Sequence, residues 1–250
     1  LHIPPWARPK TSSGQSEAEA GFKAGASLAV LDHLLAAPMA HRGIWLDRLA
    51  LRAAVAAAHA LGRTEDDAGI RDATTLRQGS ADPGPGGRLL TLWRRLASRS
   101  PTPEPAAIRS AAALIGATIN DDMLAMAERL ANSTRPAIAA AAEMLLACHG
   151  ERAERAILGC WLADMVLARR LCWPTAVPLL AGSLLNRSWR ASLNGGGRGS
   201  AAPDLTRWFH GYADAAAVAV NLAADLERRA ELLIAVRPKL RAKAAAKVVE

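Results

Sequence analysis

Apolar positions along the chain recur every three to four residues, the spacing of amphipathic α-helices rather than of β-strands. The pattern predicts helices over about residues 16–36, 43–76, 88–98, 105–117, 121–131, 136–149, 151–172, 174–189 and 204–235. Asn120 is the predicted N-cap of the helix over 121–131. In the first helix, one stripe is expected to face the core: Phe22, Ala26, Ala29, Val30 and His33. The second helix passes through Gly62, where we expect at most a bend.

The stretch "GSADPGPGG" over 79–87 separates two of these helices and predicts a stiff corner, because proline fixes φ and glycine permits positive φ. It lacks the order of glycines, lysine and serine or threonine that a P-loop requires. A second interpretation stays open. The free amides of the helix that follows would hold an anion beside Arg88.

Composition supports the same fold class. Hydrophobic residues make up 51% of the chain, with two phenylalanines and one tyrosine, and alanine and leucine dominate the sequence. Such a composition favours helices over sheets. We therefore predict an all-α fold, a compact multi-helix bundle of about nine helices without a sheet. Its expected parts are a flexible arm over 1–15, a single helical domain over 16–235 and a basic C-terminal segment over 236–250.

The net charge of +8 is concentrated near the C-terminus. Between Glu227 and Glu250, seven basic residues stand against three acidic ones, which gives +4, half of the total. Such a segment attracts nucleic acid by releasing counterions. The candidate contacts are Arg237, Lys239, Arg241, Lys243 and Lys247. The alternative is a solvated helix end, since no aromatic residue interleaves these cations to stack on bases.

Cysteine usage and hydropathy favour a cytoplasmic protein without a membrane partner. Cys148, Cys160 and Cys172 are evenly spaced, but twelve residues on a helix turn a side chain by about 120°, so one straight helix cannot bring them to one metal. We expect buried, reduced cysteines that serve packing. The chain starts without the apolar core of a signal peptide, and its longest apolar stretch carries Asp164 and two arginines.

The stretch "EDDAGIRDA" over 65–73 concentrates charge in an otherwise apolar region. If 51–76 form one helix, Glu65 and Asp72 lie within about 20° of each other and in line with its apolar stripe. Helical phase likewise directs Asp164 inward among Ile157, Cys160 and Trp161. A buried carboxylate has to be paired, protonated or bound to a cation. The three acids are therefore a candidate buried site.

Three explanations of this site stay open. The acids are polar pins paired with arginines such as Arg88 or Arg170, or they line a pocket for a small ligand or partner, or they form a metal or catalytic site. No histidine lies at ligand spacing from them, and no nucleophile elbow, paired-cysteine zinc pattern or His-Glu-x-x-His occurs. We expect no metal and no cofactor, and an enzyme is the less favoured class.

Four segments, in order, carry a family resemblance: "GRTEDDAGIRDATTL", "DPGPGGRLLTLWRRLASR", "WLADMVLARRLCWPTAVPLLAG" and "LERRAELLIAVRPKLRAKAAAKVV". The chain resembles an alpha-proteobacterial, often plasmid-borne family catalogued as domain of unknown function 1403. The residues that match its motifs are Glu65, Asp66, Arg71, Asp72, Pro83, Gly84, Pro85, Gly87, Arg88, Asp164, Trp173 and Pro174. The resemblance implies no activity. It does imply a short winged-helix-like region beyond "KLRAK", before which this chain ends at Glu250.

These observations lead to three hypotheses. The first is a non-enzymatic accessory or regulatory factor of a mobile element that engages nucleic acid through the basic C-terminal segment. The second is a helical bundle that binds a ligand or a metal, or acts as an enzyme, at a site centred on Glu65, Asp72 and Asp164. The third is a protein-interaction scaffold, for which a large exposed apolar face and a stable oligomer are the signs.

Overall fold

The computed structural model describes residues 2–8, 16–76, 82–148, 152–185 and 205–236. Within these ranges the chain forms nine α-helices and no β-strand, which confirms the predicted all-α class. The helices are α1 (Glu17–Ala36), α2 (Arg42–Ala60), α3 (Asp67–Thr75), α4 (Gly84–Ala97), α5 (Pro105–Leu114), α6 (Asp121–Ala131), α7 (Ala137–Ala147), α8 (Ala153–Arg170) and α9 (Leu205–Val236). Two 3₁₀ helices cover Pro5–Ala7 and Leu180–Leu185. No helix in the described part is both long and apolar enough to cross a membrane.

The centre of the bundle is α8. Every residue from Ile157 to Ala168 is buried, so this helix is covered on all sides, as expected for one that is apolar all round. It packs against α4, α6, α7 and the 3₁₀ helix Leu180–Leu185, while α2 packs on α4 and α1 packs along α9. Buried side chains from all nine helices form one large hydrophobic cluster, and a smaller one between α1 and α9 holds Ala20, Ala24, Phe209 and Ala213.

Tryptophan side chains join these elements through their ring N–H groups. Trp161 on α8 donates to the carbonyl of Leu92 on α4 at 3.2 Å, and Trp45 on α2 donates to the carbonyl of Ala219 on α9 at 2.9 Å. A buried indole N–H is costly unless it has an acceptor, so these bonds fix which turns of neighbouring helices face each other.

The prediction of one helix over 43–76 is wrong, because the helix ends at Gly62. Gly62 has φ +73°, a left-handed conformation that glycine adopts without strain. The N–H of Gly62 donates a hydrogen bond to the carbonyl of His59 at 3.1 Å. The N–H of Arg63 donates to the carbonyl of Ala58 at 3.0 Å. This pair of bonds is a Schellman motif that stops α2. A new helix, α3, then begins with its own orientation after Asp66, whose side chain caps it.

Three other boundaries differ from the predictions. The corner over 79–87 is shorter than expected, because α4 already begins at Gly84. The predicted helix over 174–189 is replaced by irregular chain followed by the 3₁₀ helix Leu180–Leu185, while 186–189 lie outside the described residues. Residues 2–8 are not the loose arm that composition predicts. Ile3 and Ala7 are buried there, and the carbonyl of Ala7 accepts a hydrogen bond from Ser27 Oγ at 3.3 Å. The Asn120 N-cap is confirmed.

The stripe predicted to bury α1 is only partly right: Ala26 and Val30 pack against the core, but Ala29 is exposed. Phe22 is 64% exposed and His33 is exposed, whereas the residues that face the core are Ala20, Ala24, Ser27, Leu28, Leu31 and Leu35. The sequence pattern favoured the stripe that holds the aromatic residue. Phe22 instead lies on the surface against Trp6, with ring centroids 5.8 Å apart.

Cysteine burial is confirmed at two positions of three. Cys148 and Cys160 are buried, but Cys172 is exposed. Cys172 lies just after α8 with φ +56°, and its N–H bonds the carbonyl of Arg169 at 3.2 Å. The N–H of Trp173 bonds the carbonyl of Ala168 at 2.9 Å, so α8 ends in a second Schellman motif. Cys172 occupies the left-handed position where glycine is usual, and this placement turns its side chain outward.

Candidate functional site

Asp164 lies in the middle of α8 and is 1% exposed, so its predicted inward direction is confirmed. Its Oδ2 accepts hydrogen bonds from the backbone N–H groups of Leu179 at 2.8 Å and Leu180 at 3.2 Å. Leu180 begins the 3₁₀ helix Leu180–Leu185, whose first N–H groups have no partner within the helix. Asp164 therefore serves as an N-cap supplied by a neighbouring element.

Burial dominates the electrostatics of this carboxyl. It raises the pKa of Asp164 well above its ordinary value, and the two amide bonds, which favour the charged form, offset only part of that rise. The neighbouring Cys160 thiol also has a raised pKa, first because it is buried and second because a negative charge on Asp164 disfavours its thiolate.

Tyr212 on α9 is the third member of this buried cluster. Burial raises the pKa of its phenol, and the charges of Asp164 and Cys160 raise it further. Its hydroxyl is buried and has no hydrogen-bond partner among the described residues. Asp164, Cys160 and Tyr212 are 1%, 0% and 0% exposed inside an apolar core, and each influences the electrostatics of another; we call them the closed cluster.

Glu65 and Asp72 do not join this cluster, and the prediction that they face the core is wrong. Glu65 lies between α2 and α3 with its side chain 29% exposed, and Arg63 Nε donates to its Oε1 at 2.8 Å. This bond holds the pKa of Glu65 below its usual range. Asp72 is exposed on α3, 3.7 Å from Arg71 Nε. Both predictions assumed a continuous helix through Gly62, and helical phase does not carry across the point where that helix ends.

The arginines proposed as partners also lie elsewhere. Arg88 Nη2 is 3.0 Å from Asp82 Oδ2 on the surface. Arg170 Nη2 donates to the backbone carbonyl of Arg135 at 2.9 Å. Asp164 thus has the structural role that was one of the three explanations, but its partners are backbone amides and not an arginine. No group of three or more histidine, cysteine or acidic side chains in the described ranges is arranged to hold a metal ion.

Helical phase found Asp164 and its neighbour Cys160, but not Tyr212. Tyr212 lies on the buried side of α9, among alanines that give no chemical signal. Only the packing of α9 against the core brings its hydroxyl near Asp164. The five candidate nucleic-acid contacts, Arg237, Lys239, Arg241, Lys243 and Lys247, lie outside the described residues.

Comparison with known proteins identifies the family. A model of the family described as "Protein of unknown function (DUF1403)" matches residues 1–250, and the chain belongs to that family. Neither the curated proteins nor the solved structures contain a match.

Proposed function

We propose that this protein is a non-enzymatic, cytoplasmic accessory or regulatory factor of a mobile element that engages nucleic acid through its basic C-terminal segment, residues 236–250. The observation that carries the proposal is the distribution of charge. Five basic residues stand against Glu250 in this segment, so its 15 residues hold +4 of the net +8. Counterion release makes such a segment a ligand for polyanions.

The geometry of α9 supports the proposal. The last buried residue of this helix is Ala223, and every residue from 231 to 236 is exposed. The basic segment therefore begins about 20 Å of helix beyond the buried part of α9. Residues 227–236 contain Glu227, Arg228, Arg229 and Glu231, which sum to zero, so the positive charge starts where this neutral stretch ends.

The closed cluster around Asp164 favours a binding role over an enzymatic one. Asp164 Oδ2 is occupied by two backbone amides, and Glu65 and Asp72 each lie beside an arginine of their own. Glu65, Asp72 and Asp164, the three carboxylates of the hypothetical enzyme site, thus have separate structural roles.

Binding of fluorescently labelled duplex and single-stranded DNA at low ionic strength tests the proposal. In the test variant, Lys239, Arg241, Lys243 and Lys247 are replaced by glutamine. The control variant removes the same charge from exposed positions of the helical body, Arg48, Arg71, Arg95 and Arg129. We expect the test variant to lose most of the affinity and the control variant to keep most of it. Equal losses, or no binding by the unaltered chain, would refute the proposal.

A second candidate function is self-association through the end of α9. Four consecutive or near-consecutive apolar side chains are exposed there: Leu232 at 57%, Leu233 at 58%, Ile234 at 59% and Val236 at 46%. A helix that is apolar on all sides is normally covered. We take a second copy of this chain as the occupant, because an antiparallel pair of these helix ends would cover the same four apolar side chains on both copies.

Light scattering after size-exclusion chromatography tests the second candidate. A dimer that dissociates in Leu233→Glu, and persists in Leu76→Glu, supports it. Leu76 is the matched control, since it is 74% exposed at the end of α3, far along the chain from α9. A monomer at every concentration, or equal dissociation of both variants, rejects self-association and leaves the nucleic-acid proposal untouched.

A further inference from the structure

A cavity of about 480 Å³ lies at the C-terminal end of α8. Its polar lining comes from Arg169 and Arg170 at the end of that helix, from Ser100 and Asn132 on neighbouring loops, and from Cys172. Trp173 and two prolines supply most of its apolar wall. The volume falls within the range of small-molecule sites in proteins.

The charge of this cavity is one-sided. Two guanidinium groups line it, and none of the described aspartates or glutamates does. Within the described ranges, neither Arg169 nor Arg170 forms an ion pair. Arg170 also holds a buried Nε–H that has no acceptor in the described part of the chain. By comparison, the cavity between α2 and α9 is lined by Arg48 and Arg52 together with Asp67 and Asp225, so its charges balance.

Basic residues in the last turn of a helix often serve only to complement its terminal carbonyls. At α8 this need is already met by backbone bonds. The carbonyls of Leu167, Ala168 and Arg169 accept from the N–H groups of Leu171, Trp173 and Cys172 at 2.9, 2.9 and 3.2 Å. The guanidinium group of Arg169 therefore has no acceptor within the described residues. Arg170 donates through Nη2 to the carbonyl of Arg135 at 2.9 Å, but its Nε–H has no acceptor there and can bind one from outside the chain.

We propose that this cavity binds a phosphate group, with Arg169 and Arg170 as its charged ligands. The additional donor is the second amide hydrogen of Asn132, whose first bonds the carbonyl of Glu128 at 3.0 Å. A guanidinium group pairs with phosphate through two parallel N–H bonds, and it also supplies the charge that a dianion needs. The phosphate belongs either to a free phosphate monoester or to a nucleic-acid backbone. This site is separate from the basic C-terminal segment, and its test does not depend on that segment.

The structure provides a reporter for this site. Cys172 lines the cavity and is the exposed cysteine of the three, while burial raises the pKa of Cys148 to about 12 and that of Cys160 well above its ordinary value. Iodoacetamide, an uncharged reagent, alkylates a thiolate with loss of iodide and should modify Cys172 alone in the folded protein. A phosphate beside the thiol slows this reaction, because it restricts access and its negative charge disfavours the thiolate.

The experiment measures the alkylation rate of Cys172 by mass spectrometry as inorganic phosphate is added, with sodium chloride at matched ionic strength as the reference. We expect phosphate to slow the reaction, by about threefold when its concentration is about twice its Kd. The variant R169Q/R170Q should lose this protection, and R48Q/R52Q, which removes the same charge from the balanced cavity, should keep it. Arg169→Gln alone, at an exposed side chain without an ion-pair partner in the described ranges, replaces the double variant if that one unfolds.

Adenosine monophosphate and a single-stranded oligonucleotide distinguish the two sources of phosphate. Stronger protection per phosphate by the monoester assigns the cavity to a free ligand, and stronger protection by the oligonucleotide assigns it to a nucleic-acid backbone. Equal alkylation rates in phosphate and chloride, or equal protection of the unaltered chain and R169Q/R170Q, would overturn the proposal. The glutamine variant of the basic C-terminal segment should retain phosphate protection, so failure of either proposal is visible separately.

Discussion

The carboxylate of Asp164 and the backbone N–H of Leu179 lie 2.8 Å apart in the centre of the bundle, fifteen positions distant in the chain. Leu180 donates to the same oxygen at 3.2 Å. Through these bonds the most buried helix holds the start of the 3₁₀ helix Leu180–Leu185, which has few backbone bonds of its own to fix its position. Asp164 is thus best understood as the residue that orders the chain after α8.

Replacement of Asp164 tests this role. Asp164→Ala leaves two buried N–H groups without an acceptor, and each such loss costs about 1–3 kcal/mol. We therefore expect the free energy of unfolding to fall by about 2–6 kcal/mol in chemical denaturation, because the two costs add. Asp164→Asn keeps one acceptor oxygen and, at about pH 3.5, where the carboxyl of the unaltered chain is protonated, should lose less than half as much. Equal stability of the alanine variant and the unaltered chain would contradict the capping role.

The raised pKa of Asp164 predicts how stability depends on pH. Below the pKa of an unfolded aspartate, about 3.9, the carboxyl is protonated in both states and ionisation costs nothing. As pH rises, the unfolded chain loses this proton first, so folding is disfavoured by about 1.4 kcal/mol per pH unit until the folded pKa is passed. The stability of the unaltered chain relative to Asp164→Asn should therefore be greatest in acid and decline as pH rises.

Denaturant titrations of the unaltered chain and of Asp164→Asn, from below the pKa of an unfolded aspartate upward, provide the measurement. Other titrating groups are shared by the two proteins and cancel in the difference. If the stability of the unaltered chain relative to Asp164→Asn stays constant or grows with pH, burial does not raise the pKa of Asp164.

Asp164 also shows which parts of a site the sequence can predict. Asp164 is buried in an unbroken helix whose residues from Ile157 to Ala168 are all buried, so its burial agrees with the angular rule but did not depend on it. Glu65 and Asp72 were placed by the same rule across Gly62, and the rule failed there because a left-handed glycine ends the helix. The sequence contained that glycine, but glycine is compatible with both a bend and a stop.

The partners of Asp164 were beyond reach of sequence patterns. The backbone N–H groups of Leu179 and Leu180 give no sequence signal, because nearly every residue has one. Tyr212 comes near Asp164 only when α9 packs on the core. Likewise, the stripe predicted for α1 included Phe22 because aromatic residues usually prefer the interior. Phe22 is instead 64% exposed and packs against Trp6 on the surface, a contact that local periodicity does not encode.

A matched pair of glycines tests the packing of α7 against α8. A Cβ on Gly159 would lie 2.6 Å from the Cβ of Cys148, whereas a Cβ on Gly25 in α1 would have no atom of the described chain within 4 Å. Gly159→Ala should therefore lower the free energy of unfolding by about 1–3 kcal/mol through overpacking. Gly25→Ala should raise it by about 0.5–1 kcal/mol, since alanine is the better helix former. Stabilisation by both substitutions would show that α7 and α8 are less closely packed.

Substitutions at Cys172 test the end of α8. Its φ of +56° is favourable for glycine and strained for other residues, most of all for β-branched ones. We expect stability in the order Cys172→Gly, Cys172→Ala, Cys172→Val, with about 1 kcal/mol between the glycine and alanine variants. Thermal unfolding monitored by circular dichroism measures the order. A valine variant as stable as the glycine variant would indicate that α8 does not end in this motif.

The salt dependence of DNA binding tests the central claim most directly. For the unaltered chain, the logarithm of the association constant should fall linearly with the logarithm of the salt concentration. Replacement of Lys239, Arg241, Lys243 and Lys247 by glutamine should make this slope shallower by roughly 0.9 for each duplex phosphate that the variant no longer neutralises. The body control, with Arg48, Arg71, Arg95 and Arg129 replaced, should keep the original slope. A chain that shows no salt-sensitive binding at low ionic strength, or a slope that changes only in the body control, would contradict the account.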